Sequence, residues 1–155
     1  MTTCFIGLSR EISAGEVISA LQSWFPAVTI SSILDTASKP GDIVIDIVTS
    51  SIQGFPSLVQ FYYFPGTEVD CIGIGIGLCA LFSSRFNLTT ISDGSGLGDD
   101  PSPYWLVLYD QHTLYLADDS GTDPDDERPA GPVLVIRPLA LPIPKFEPNG
   151  MLKRV

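Results

Sequence analysis

Thr67-Glu-Val-Asp-Cys-Ile-Gly-Ile-Gly-Ile-Gly-Leu-Cys-Ala-Leu-Phe-Ser-Ser-Arg-Phe86 is the stretch on which the fold class turns. Its centre alternates isoleucine with glycine, a two-residue period that suits a strand. Three interior glycines, Gly73, Gly75 and Gly77, also cost a helix about 1 kcal/mol each relative to alanine. The ends say the opposite. Thr67 offers a capping residue, Glu68 and Asp70 place acids where a helix begins, and Arg85 and Asn87 supply the C-terminal counterpart. The segment is also too long for an ordinary strand. We therefore read a helix over residues 68–86, with the glycines permitting close packing against a sheet.

Outward from this helix, short apolar runs alternate with turn residues. Residues 3–8 (TCFIGL) form a strand signal, followed by Ser13-Ala-Gly-Glu16 at capping-box spacing. Val17, Ile18, Leu21 and Trp24 then place one apolar stripe on a helix that Pro26 stops. Residues 28–34 (VTISSIL) alternate as a half-buried strand does, and Lys39-Pro-Gly-Asp42 is a turn. Residues 43–48 (IVIDIV) and 57–64 (SLVQFYYF) make a hairpin or meander across Gly54-Phe-Pro56. Beyond the helix, residues 88–92 predict a strand and 93–103 a glycine-rich loop. Residues 104–109 (YWLVLY) and 113–117 (TLYLA) flank a turn at Asp110-Gln-His112. Residues 118–132 form a second acidic loop, 133–136 (VLVI) add a final strand, and a Pro-rich tail runs on irregularly from about 138. The sum is a single α+β domain over residues 1–155, mostly antiparallel sheet with two principal helices.

Charge is concentrated in one window. Of 18 acids against 8 bases, ten lie between Asp93 and Glu127, where there is no Lys or Arg; the remainder of the chain balances at eight and eight. The whole net charge of −10 therefore belongs to this segment. Such a balance disfavours nucleic-acid backbones, which call for clustered Lys and Arg, and anionic membrane surfaces. Basic partners are its natural complement. The apolar segment 69–82 falls short of the roughly 20 residues that span a bilayer, and Arg10, Glu11 and Glu16 interrupt any signal-peptide pattern. Cys4, Cys71 and Cys79 are odd in number, lack CxxC spacing and sit in apolar runs, so buried free thiols in a reducing cytoplasm are expected.

Patterns for catalysis and cofactors are weak. The single histidine, His112, falls in a predicted exposed turn, which argues against a Ser-His-Asp or Cys-His centre and against zinc. The Gly73–Gly77 spacing lacks the strand-to-helix GxGxxG of a dinucleotide loop, and no Walker lysine is present, so no cofactor is expected. Calcium is the stronger competitor, through Asp93, Ser95, Asp99 and Asp100 or through the acids of 118–126, though neither run has EF-hand spacing. A small-ligand binding module and an acid-based hydrolase also compete with simple protein binding.

Binding accounts for more of the window. Two acidic loops bracket an aromatic-rich hairpin, giving a negative rim around Tyr and Trp anchors. The candidate partner-binding residues are Asp93, Asp99, Asp100, Tyr104, Trp105, Asp118, Asp119, Asp123, Asp125, Asp126 and Glu127. The block Asp93-Gly-Ser-Gly-Leu-Gly-Asp-Asp-Pro-Ser-Pro-Tyr-Trp105, with Leu114-Tyr-Leu-Ala-Asp-Asp119, resembles small cytosolic immunity proteins of bacterial polymorphic or contact-delivered toxin systems. The resemblance is carried by these two blocks together with the chain's size and acidity. It implies a non-enzymatic inhibitor that binds a cognate toxin, one with a basic active-site surface.

Overall fold

A computed structural model describes residues 4–33, 42–102, 104–119 and 132–153. The elements follow in the order β1 (Cys4–Leu8), α1 (Ala14–Trp24), β2 (Ile30–Ser32), β3 (Ile43–Thr49), β4 (Ser57–Tyr63), α2 (Thr67–Phe86), β5 (Thr90–Asp93), β6 (Trp105–Asp110), β7 (Thr113–Asp118) and β8 (Leu134–Pro138). All eight strands join one sheet in the order β2-β3-β4-β1-β5-β6-β7-β8. Every neighbouring pair is antiparallel except β2 with β3, which run parallel. The architecture is a single α+β domain, as the alternating strand and helix signals predict.

The period-two rule assigns the faces. Cys4, Ile6 and Leu8 of β1 point into the larger core with Val17, Leu21 and Phe25 of α1 and Ile74, Leu78 and Phe82 of α2. Phe5 points the other way, toward a smaller cluster built on Ile91, Leu106, Leu108, Ala117 and Phe55. Both helices thus contribute to one core, while the segment carrying Ile52 and Phe55 supports the opposite one.

Helix α1 begins as its sequence dictates. Ser13 is the N-cap, its hydroxyl accepting from the Glu16 backbone N–H at 3.2 Å while the Glu16 carboxylate accepts from the Ser13 N–H at 3.1 Å. Helix α2 departs in detail. Thr67 does not cap it: its hydroxyl donates to the Phe64 carbonyl instead. Asp70 breaks the helical path at φ −151°, ψ 75°, and its carboxylate accepts from the Gly73 N–H at 2.8 Å. That is N-cap-to-N3 geometry, so the uninterrupted helix starts at Cys71. Its far end closes at Asn87, which takes the left-handed conformation with its N–H donating to the Ser83 carbonyl.

Over its 20 residues α2 is long and apolar enough to cross a membrane, beyond what the 69–82 stretch suggests. In the fold it is a core helix, with residues 73–79, Phe82 and Ser83 buried. Hydroxyls tie it to the sheet: Thr90 donates to the Cys79 carbonyl at 2.9 Å. Two glycines explain how it packs so tightly. A Cβ on Gly75 would lie 2.4 Å from the Ser92 hydroxyl of β5, and one on Gly77 would lie 2.6 Å from the Phe146 ring. Close approach to the sheet on one side and to the C-terminal segment on the other leaves no room for a methyl group. The C-terminal segment is accordingly packed as well as proline-rich: Ile143, Phe146 and Leu152 lie against the larger core.

Candidate functional site

Strand register decides whether the predicted acidic and aromatic residues meet. Asp93 at the end of β5 is opposite Leu106, Trp105 at the start of β6 is opposite Asp118, and Asp118 at the end of β7 is opposite Leu134. The neighbouring Asp119 N–H donates to the Tyr104 carbonyl at 3.1 Å. Asp93, Tyr104, Trp105, Asp118 and Asp119 therefore gather at one end of the β5–β8 half of the sheet. Asp99 and Asp100 come to the same end on the loop between β5 and β6. Asp123, Asp125, Asp126 and Glu127 lie outside the described residues.

Much of this acidity goes into shaping the loop. The Asp93 carboxylate accepts from the Ser95 N–H at 2.9 Å and from its hydroxyl at 2.6 Å, the local bonding that fits Asp to turns. Asp100 accepts from the Ser102 N–H at 3.0 Å. The Trp105 indole N–H is shared between the Asp100 carboxylate at 3.0 Å and its carbonyl at 3.1 Å. Gly98 lies against the face of that indole, so close that a Cβ there would overlap the ring. Trp105 is thus half-buried under its own loop, an anchor of the surface more than a free probe. Asp99 reaches Arg137 of β8 at 3.4 Å.

Strand β8 adds something the acid count did not reveal. Leu134, Val135 and Ile136 are 55%, 53% and 46% exposed, three consecutive apolar side chains open on an edge strand. Their run is plain in the sequence, but whether such a strand lies inside a sheet or at its edge is a tertiary fact. Acids flank it directly, through the Asp118–Leu134 register pair and the Asp99–Arg137 contact. Open apolar area inside a charged border is the layout of a protein-binding patch. Two other aromatics of the window do not join it. Tyr109 is buried in the larger core, and Tyr115 packs on the opposite cluster.

Among the described residues no group of three or more His, Cys, Asp or Glu converges as a metal site would require. The opposite end of the same strands carries a polar cleft of about 560 Å³, lined by residues that include Arg10, Asp110 and His112. Its polar groups are largely engaged internally. Arg10 donates to the Phe86 carbonyl at the end of α2, and Thr89 donates to Asp110 at 3.0 Å. His112 is exposed on the β6–β7 turn, where it and Gln111 hold φ of 71° and 47°.

The cysteines divide differently from the expectation of three buried thiols. Cys4 and Cys79 are buried, but Cys71, at the start of α2, is half-exposed. A hydrogen bond from the Cys4 thiol lowers the Cys71 pKa to about 7, against opposing effects of burial and of the Asp93 and Asp70 charges. The same bond, with burial behind it, raises that of Cys4. Desolvation pushes Cys79 up to about 12.

No family model, curated protein or solved structure matches the chain.

Proposed function

We propose that the protein is a non-catalytic binding protein of the immunity type, neutralising a bacterial toxin by docking the acidic end of β5–β8 onto a basic surface. The observation that carries this reading is the adjacency of exposed Leu134, Val135 and Ile136 to Asp99, Asp118 and Asp119. The apolar strand supplies desolvated contact area, and the acids steer a cationic partner and select against anionic ones. Free thiols throughout and the net charge of −10 suit a soluble protein of the cytoplasm.

The test is copurification from the native host, followed by co-expression with any toxin gene found beside this one. Recovery of a basic toxin domain and protection of the cells support the proposal; absence of both ends it. The surface itself is tested by converting Asp99, Asp118 and Asp119 to Asn together, leaving Asp93 and Asp100 to hold the loop. Association with the recovered partner should slow by about tenfold at low salt and lose most of its salt dependence. An unchanged rate would move the interface elsewhere.

A further inference from the structure

Cysteine spacing along α2 lines up a set of sulfur groups that the binding surface does not use. Cys71, Gly75 and Cys79 recur every four residues and so share one face of the helix. That face lies on β1 and β5: Gly75 packs against Ser92 with the Cys4 sulfur 4.0 Å from where its Cβ would be, and the Cys79 carbonyl accepts from Thr90. The seam runs in register, Cys79 on Thr90 opposite Leu8 and Gly75 on Ser92, so one turn toward the N-terminus Cys71 falls beside Cys4 at the start of β1. Cys71 also occupies the first position after the Asp70 cap, where free backbone N–H groups favour a negative sulfur. One thiol of the pair is open to solvent and the other sits behind it in the core.

We propose that Cys4 and Cys71 are a redox-active dithiol, Cys71 attacking and Cys4 resolving, which closes to an intramolecular disulfide when it meets a low-molecular-weight disulfide. The Cys71 thiolate attacks one sulfur of the small disulfide, whose S–S bond breaks and releases a thiolate that takes up a proton. Cys4 then gives up its proton, and its sulfur attacks the Cys71 sulfur of the mixed disulfide. The second small thiolate leaves and is protonated in turn. The protein loses two electrons and two protons, and the small disulfide gains both. Asp93 and Asp70, the carboxylates facing the pair, disfavour negative sulfur and restrain the exchange. Cys79 takes no part, being fully buried on the same face.

Oxidised glutathione added to the reduced full-length protein, followed by acid quenching, alkylation after unfolding and peptide mass spectrometry, tests this. Wild type should yield a Cys4–Cys71 linked peptide with Cys79 alkylated. Cys4→Ser should stop at a glutathione adduct on Cys71, and Cys71→Ser should take up glutathione at least tenfold more slowly. The wild-type result alone decides if a variant fails to fold. A persistent unresolved adduct on wild-type Cys71, a link to Cys79, or a Cys71–Cys71 dimer would each overturn the proposal.

Discussion

Replacing Gly75 with alanine sets two opposed quantities against each other inside α2. Removing an interior glycine from a helix gains about 1 kcal/mol. Here the added methyl would lie 2.4 Å from the Ser92 hydroxyl and 3.2 Å from its Cβ. Ser92 cannot simply swing aside, because its hydroxyl donates to the Phe5 carbonyl at 2.8 Å. Crowding of this kind costs about 1–3 kcal/mol, and giving up the hydrogen bond about 1 kcal/mol more. The balance is a net destabilisation of roughly 1–3 kcal/mol. Gly15→Ala supplies the internal contrast, since Gly15 lies in the first turn of α1 with open space around it. It should stabilise by about 0.5–1 kcal/mol. Urea denaturation of both variants measures the difference, the midpoints moving in opposite directions while the slope stays constant. A Gly75→Ala protein at least as stable as wild type would refute the close seam between α2 and β5, and with it the reason given for the glycine.

Further outcomes follow from single contacts. Asn-Gly in place of Gln111-His112 should stabilise by about 1–2 kcal/mol in thermal or chemical denaturation, because both residues of this turn have positive φ. Arg137→Ala should change stability by less than about 0.5 kcal/mol, since its partner Asp99 is largely exposed and such pairs are worth little. The Glu16 pKa is lowered by hydrogen bonds from Ser13, so its contribution is present above its ordinary 4.5 and is lost as pH falls through the lower folded value. Glu16→Gln should therefore flatten the acid limb of stability against pH. Alkylation of Cys71 in the folded protein should rise with pH and reach half its limiting rate near 7, because the thiolate is the nucleophile; Cys4→Ala, which leaves no donor at that position, should shift that midpoint upward by removing the first cause of the lowered value.

The helix at 67–86 and the misleading alternation within it show where sequence reasoning holds and where it stops. End signals located the helix correctly because they act locally, through charge and backbone conformation, even though Asp70 and not Thr67 proved to be the cap. The strands of the β6–β7 hairpin were legible for the same reason, and with their register came the gathering of Asp93, Trp105 and Asp118. What could not be read was contact between distant segments. Nothing local in Leu134-Val-Ile136 distinguishes an edge strand from an interior one, and nothing in Cys4 announces a partner 67 residues away. The Ile-Gly period has the same origin. Gly75 is small because β5 approaches one side of α2, and Gly77 because Phe146 approaches another. A helix enclosed on both sides needs no single apolar stripe, so its sequence loses the 3.6-residue signature and acquires a two-residue one by coincidence of contacts. Gly75 and Gly77 are therefore a record of tertiary packing, and the proline-rich tail that reads as an irregular end is one of the two surfaces that imposed them.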